Sequence, residues 1–197
     1  IYIFFELAMN NIDQIYNKSL SINDYSKSYI EYLSSVLNSI SLTDIEKFVE
    51  VLLEARERAS SVFFIGNGGS AATASHFAND IAIGTSTDEK PFRAISLCDN
   101  QAVITAIAND DGYEEIFSQQ LKVLLNKQDV LIAISASGNS PNLIRAIETA
   151  KKMSAITVGI SAFDGGKMKQ MVDVSLHVPT GKGEYGPAED AHLILDH

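Results

Sequence analysis

The stretch Phe63-Phe64-Ile65-Gly66-Asn67-Gly68-Gly69-Ser70, continued by Ala71-Ala72-Thr73-Ala74-Ser75-His76-Phe77-Ala78-Asn79-Asp80, decides how the chain folds. A short apolar run breaks at a glycine cluster and resumes as an alanine-rich segment with helical spacing, the pattern of strand, tight loop and helix N-terminus. Glycines admit close backbone approach and positive φ, and the free N–H groups of a first helical turn favour a phosphate or carboxylate. Ser70 adds a hydroxyl that can either cap the helix or bond that anion. Two familiar nucleotide cradles fit poorly. Ala71 stands where the third glycine of G-x-G-x-x-G would fall, and no Gly-Lys-Ser/Thr follows the loop.

Outward from this stretch the same pattern repeats. Val62–Ile65, Ala94–Leu97, Val130–Ile134, Thr157–Ile160 and Val174–Val178 read as five strands, with Gly112–Leu125 and Pro141–Met153 as helices between them. Near-continuous apolar strands alternating with helices predict an α/β fold, a five-stranded parallel sheet with both faces covered. Ligands then gather at the carboxyl ends of the strands where the strand order reverses. Before the first strand, residues 12–59 carry apolar positions at helical spacing, two or three helices' worth. Thr43 with Glu46 three residues on forms a capping box that starts one of them. We expect residues 1–60 to be a helical part of the same domain that serves as an oligomer interface, and 61–197 to be the ligand-binding part. Thr85–Lys90 reads as a polar, mobile loop.

Composition narrows the function classes. At 197 residues and 46% hydrophobic, the chain can fill one core. A net charge of −10 argues against a nucleic-acid surface, so an anionic ligand must be held by local donors. Cys98 is the single cysteine, which excludes a disulfide framework, suits a reducing cytoplasm and reads as a packed thiol rather than a nucleophile. Ile1-Tyr2-Ile3-Phe4-Phe5 is apolar but short, lacks a basic flank and meets Glu6 at once, unlike a signal peptide. No run approaches the ~20 apolar residues of a membrane span. Opening on Ile1 rather than Met and stopping at His197 inside a helical pattern, the sequence reads as a fragment of a slightly longer protein.

The third strand empties into Ser135-Ala136-Ser137-Gly138-Asn139-Ser140-Pro141-Asn142, then a helix. Three hydroxyls, a glycine and a proline near the first helical position build a second anion nest. With no lysine in either loop, the expected ligand is a phosphate monoester held by hydroxyls and amides, not a nucleoside triphosphate with its magnesium.

With both loops in view, the chain resembles the sugar isomerase (SIS) domain family and, within it, the phosphoheptose isomerases. The likeness rests on Gly66-Asn67-Gly68-Gly69-Ser70 with His76-Phe77-Ala78, on Ser135–Ser140, on Asp99, on Ala108-Asn109-Asp110-Asp111-Gly112-Tyr113 and on Glu189-Asp190-Ala191-His192, between about residue 59 and 197. The resemblance implies a homotetramer with sites between subunits that converts sedoheptulose 7-phosphate to D-glycero-D-manno-heptose 7-phosphate. It implies that Asn67, Gly68, Gly69 and Ser70 border the sugar and its phosphate, that Ser135, Ala136, Ser137 and Ser140 hold the phosphate, and that Asp99 contacts sugar hydroxyls. It assigns the base and a zinc ligand to Asp80, and completes the site with Glu189 and His197. Two positions depart from the family: Asp80 stands where it has Glu, and Glu189 where it has Gln.

Spacing bears on the metal set, His76, Asp80, Glu189 and His197. His76 and Asp80 stand at i and i+4, on one helix face, a metal or acid/base pair or else a solvated face. Residues 189 and 197, eight apart on one regular helix, would be about 12 Å apart along the axis, too far to share an ion directly. Either Glu189 lies outside the helix, or the two serve different sites, or His192 replaces one of them. His177 reads as structural. The expected chemistry is removal of a proton beside the carbonyl by Asp80 or His197, giving an enediol reprotonated on the neighbouring carbon, with zinc polarising the carbonyl. The rival is a SIS module that binds a phosphosugar or a protein partner without turnover, as a regulator of replication initiation or transcription. A retained His76, Asp80 and His197 favours the enzyme, because a binder needs only the serine loops.

Overall fold

The computed structural model describes residues 9–85 and 90–197; Ile1–Phe5 and most of the 85–90 loop lie outside them. Three helices lead the chain: α1 (Asn11–Lys18), α2 (Ile22–Asn38) and α3 (Leu42–Arg58). Each starts on a side chain that accepts the amide of an aspartate three residues on: Asn10 from Asp13, Ser21 from Asp24 and Ser41 from Asp44. The α3 cap is therefore Ser41, two residues before the expected Thr43. Ile40 is buried just after α2, so the link between the helices is short, and Ser41 is the first residue beyond it able to cap.

Five parallel strands follow, β1 (Ser61–Gly66), β2 (Arg93–Ser96), β3 (Val130–Ser135), β4 (Ile156–Ser161) and β5 (Val174–His177), in the order β2-β1-β3-β4-β5. These are the five expected strands to within a residue at most ends. β1 and β3, at the centre, are buried along their whole length. Alternate residues feed two cores. Val62, Phe64, Ile132 and Ile134 pack with Phe48 and Leu52 of α3 and with α4 (Gly69–Asn79) and α9 (Tyr185–Ile194). Phe63, Ile65, Leu131 and Ala133 face α6 (Ser118–Leu124), α7 (Pro141–Lys152) and α8 (Met168–Met171).

The segment before α6 corrects the sequence reading. Residues 112–125 do not form one helix: Gly112 takes φ +99°, a 3-10 turn spans Tyr113–Glu115, and α6 starts only at Ser118. A further helix, α5 (Gln101–Asp110), precedes them, with Ile104, Ile107 and Ala108 half-buried against the core of α6 and α7. α9 is placed by two tyrosine hydroxyls of α2, Tyr29 donating to Asp190 and Tyr32 to Glu184, whose carboxylate also receives the amides of Asn11 and Gly181. The chain reverses direction across the sheet between β1 and β3, which opens a crevice at their carboxyl ends.

Candidate functional site

Both hydroxyl-bearing loops empty into that crevice. A cavity of about 130 Å³ is lined by Asn67, Ser70, Ile134, Ser135, Ala136, Ser137, Ser140, Tyr185 and Glu189. After β1 the backbone folds back so tightly that a Cβ at Gly66 would lie 2.3 Å from the Ser70 carbonyl oxygen, and Gly68 takes φ +55° at the cap of α4. Ser70 is thus the second residue of α4, not its cap, and its hydroxyl makes no hydrogen bond among the described residues. Ser140 does stand at the cap of α7, before Pro141, yet its side chain makes no capping bond. Ser135 Oγ accepts the Gly138 amide at 3.1 Å and Ser137 Oγ the Asn139 amide at 3.3 Å, which shapes the turn. Two helix N-termini and two uncommitted hydroxyls are groups suited to an anion.

The opposite end of α4 carries different chemistry. Asp80 opens a π-helical turn, Asp80–Gly84, a deviation frequent at functional sites. His76 Nε2 lies 3.3 Å from Asp80 Oδ2 and 3.8 Å from Asp196 Oδ2, and His197 Nε2 lies 3.9 Å from Asp80 Oδ2. Ligand atoms of His76, Asp80, Asp196 and His197 all fall within 4.8 Å of one another. Both Asp196 oxygens are buried with no hydrogen-bond partner. Burial and the neighbouring Asp80 push the Asp196 carboxyl up, with His76 and His197 pulling it back. His197 Nδ1 faces the Leu193 carbonyl at 3.2 Å, which leaves Nε2 for the cluster, the arrangement of a metal-ligating imidazole. Two imidazoles and two carboxylates, one of them orphaned and buried, form a donor set suited to a divalent metal such as zinc.

The residues singled out in the sequence sort into three groups. Asn67, Ser70, Ser135, Ala136, Ser137, Ser140 and Glu189 share the cavity, while Gly68 and Gly69 stand between Asn67 and Ser70 at the start of α4 and do not line it. His76, Asp80 and His197 come together at the far end of α4, but Glu189 does not join them. Its carboxylate packs against Gly69, where an added Cβ would lie 2.3 Å from Oε2, and Asp196 takes the fourth place in the cluster. Glu189 lies within α9 and His197 beyond its end at Ile194, and the two address different ends of α4. Asp99 is outside both groups, accepting the Ser75 hydroxyl.

His192 does not replace either residue: it is buried in the core with neither ring nitrogen hydrogen-bonded among the described residues, and burial pushes its imidazole down to about 4. His177 is held against Ser161 Oγ at 3.1 Å, and burial together with Lys169 lowers it. The Cys98 thiol is pushed up by burial and points at the Gly66 carbonyl, as a packed thiol does. Asp196, Asn142, Tyr113 and Tyr185 are the additions the structure makes. Asp196 had one sequence signal, an acid directly before a candidate ligand histidine; Asn142 had another, a polar residue in the first turn after Pro141.

Comparison with known proteins places this geometry. A model of the SIS domain matches residues 24–162. A phosphoheptose isomerase of Helicobacter pylori is 37% identical over 185 residues, covering 94% of this chain and 91% of its own. The structure of a phosphoheptose isomerase from Neisseria gonorrhoeae superposes with a TM-score of 0.80 at 27% identity, over 90% of this chain and 95% of that one. One from Francisella tularensis gives 0.80 at 25%, over 96% and 95%.

Proposed function

The chain belongs to the SIS-domain family and is an aldose–ketose isomerase of the phosphoheptose isomerase kind; from that membership we propose that it converts sedoheptulose 7-phosphate to D-glycero-D-manno-heptose 7-phosphate. The observation that carries the proposal is the single cavity closed by Ser70 on one side and Ser135, Ser137 and Ser140 on the other. The phosphate binds there, on the amides of the α4 and α7 N-termini and the serine hydroxyls. Energy from that remote group orients the reacting end of the sugar. Glu189, an acceptor at the edge of the same cavity, takes a sugar hydroxyl.

The sugar's carbonyl end lies toward the C-terminal end of α4. There Asp80, between two imidazoles, removes the proton from the carbon beside the carbonyl, and the enediol is reprotonated on its neighbour. His197, oriented by the Leu193 carbonyl, is the alternative base. His76, Asp80, Asp196 and His197 would hold zinc, which supplies polarisation of a substrate oxygen when bound.

The assembly is a homotetramer with sites between subunits, in which α1–α3 pack against other copies. What supports this is the apolar surface this segment leaves open: Leu20, in the link between α1 and α2, is 96% exposed, Ile22 85% and Leu42 79%. No helix among the described residues is long and apolar enough to cross a membrane. The proposal sets the enzyme in the cytoplasm, in keeping with its unpaired Cys98.

The test is incubation with sedoheptulose 7-phosphate in deuterium oxide, with and without added zinc, followed by NMR. Deuterium entering the aldose product is expected. Absence of exchange in an assembled, metal-loaded sample would turn the reading to a binding module.

A further inference from the structure

Asn67 is the one carboxamide lining the cavity, and a carboxamide turned by half a rotation exchanges its oxygen and nitrogen, so it presents either an acceptor or a donor to a ligand. A chain of hydrogen bonds outside the cavity decides which. It starts at the Leu143 amide in the first turn of α7, a backbone group that can only donate, which meets Asn142 Oδ1 at 3.0 Å. Asn142 is 2% exposed, so its amide has no water to turn toward. With Oδ1 so placed, Asn142 accepts from Asn67 Nδ2 at 2.9 Å and donates its own Nδ2 to Asn67 Oδ1 at 2.8 Å, a closed amide pair. Tyr113, on the 3-10 turn after Gly112, adds its hydroxyl to Asn67 Oδ1 at 2.9 Å. Both lone pairs of that oxygen are then occupied.

The geometry points to Asn142 as a positioning residue that makes Asn67 an obligate donor toward the bound phosphosugar, with Tyr113 as its second lock. The one hydrogen of Asn67 left over is the second on Nδ2, so a phosphate or alkoxide-like oxygen is accepted and a donor is refused. The amide pair also joins the loop after β1 to the first turn of α7, which holds the two anion nests at one spacing. The inference rests on the cavity being the phosphate site, and the test separates the two.

The probe is inorganic phosphate, titrated into the assembled protein by calorimetry, with thermal unfolding followed for every variant. Asn142→Ser keeps an oxygen for the Leu143 amide but cannot reach Asn67, and Tyr113→Phe changes one exposed hydroxyl only. Because a hydrogen bond to a charged ligand is at stake, Asn142→Ser is expected to weaken phosphate about tenfold or more, and Tyr113→Phe by a smaller factor of about three. In an Asn67→Ala background neither substitution should weaken it further, because both act through Asn67. Losses that persist in that background overturn the inference, as does full phosphate affinity in both single variants. If Asn142→Ser does not fold, Tyr113→Phe with and without Asn67→Ala decides the question by the same criterion. A wild-type protein that binds no phosphate at all would instead strike the reading of the cavity.

Discussion

The two ends of α4 do opposite work. At its start Ser70 lines a cavity shared with the serine loop after β3, while at its end His76 and Asp80 gather donors suited to a cation. The helix dipole favours both arrangements at once, since its N-terminus attracts negative charge and its C-terminus positive. α9 and the residues just after it complete each end, with Glu189 against Gly69 and Asp196 and His197 beside His76 and Asp80. On the proposed reading, one end serves the phosphate and the other the reacting end of the sugar. A change at one end should leave the other working.

Asp80→Asn is the strongest way to sharpen the contrast. Loss of a general base costs about 10²–10⁴-fold in rate, so turnover should collapse while calorimetric affinity for inorganic phosphate stays within error; surviving turnover would shift the base to His197. Acid attacks both ends together, because His192 lies in the core of α9 between them. Its folded pKa of about 4 is below the ordinary 6.5, so the stability it contributes is complete above pH 6.5 and drains away as pH falls toward 4. That difference amounts to roughly 3 kcal/mol. Denaturant unfolding should therefore show stability falling across this window, and His192→Gln should flatten the fall.

A smaller effect tests where Glu189 belongs. Asp196→Asn should weaken zinc, measured by competition with a chromogenic chelator, by about 10–100-fold or more, as loss of a ligand or its close support does. Glu189→Gln should leave zinc affinity unchanged. If Glu189→Gln weakened zinc as strongly as Asp196→Asn, the division between the two ends would fail.

Much of this was legible before any coordinates. Five apolar runs separated by helical segments can only be a covered parallel sheet, and two glycine- and serine-rich loops after its first and third strands mark the ligand end. Local chemistry is written in local spacing: His76 and Asp80, four apart, had to share a face of α4. The reading slipped at residues 112–125, which Gly112 and a 3-10 turn divide.

The sequence by itself settled the sheet, the two nests and the His76–Asp80 pair, because each depends on residues near one another along the chain. Only the tertiary structure decided that Glu189 faces the anion end, that Asp196 joins the cation end and that Asn142 holds Asn67. Those depend on how far α9 slides along α4 and how closely α7 meets the loop after β1. Ala74, Ala78, Ala188 and Ala191 are buried in one core. Small side chains of this kind permit several registers between two helices, and the packing of the whole core selects one.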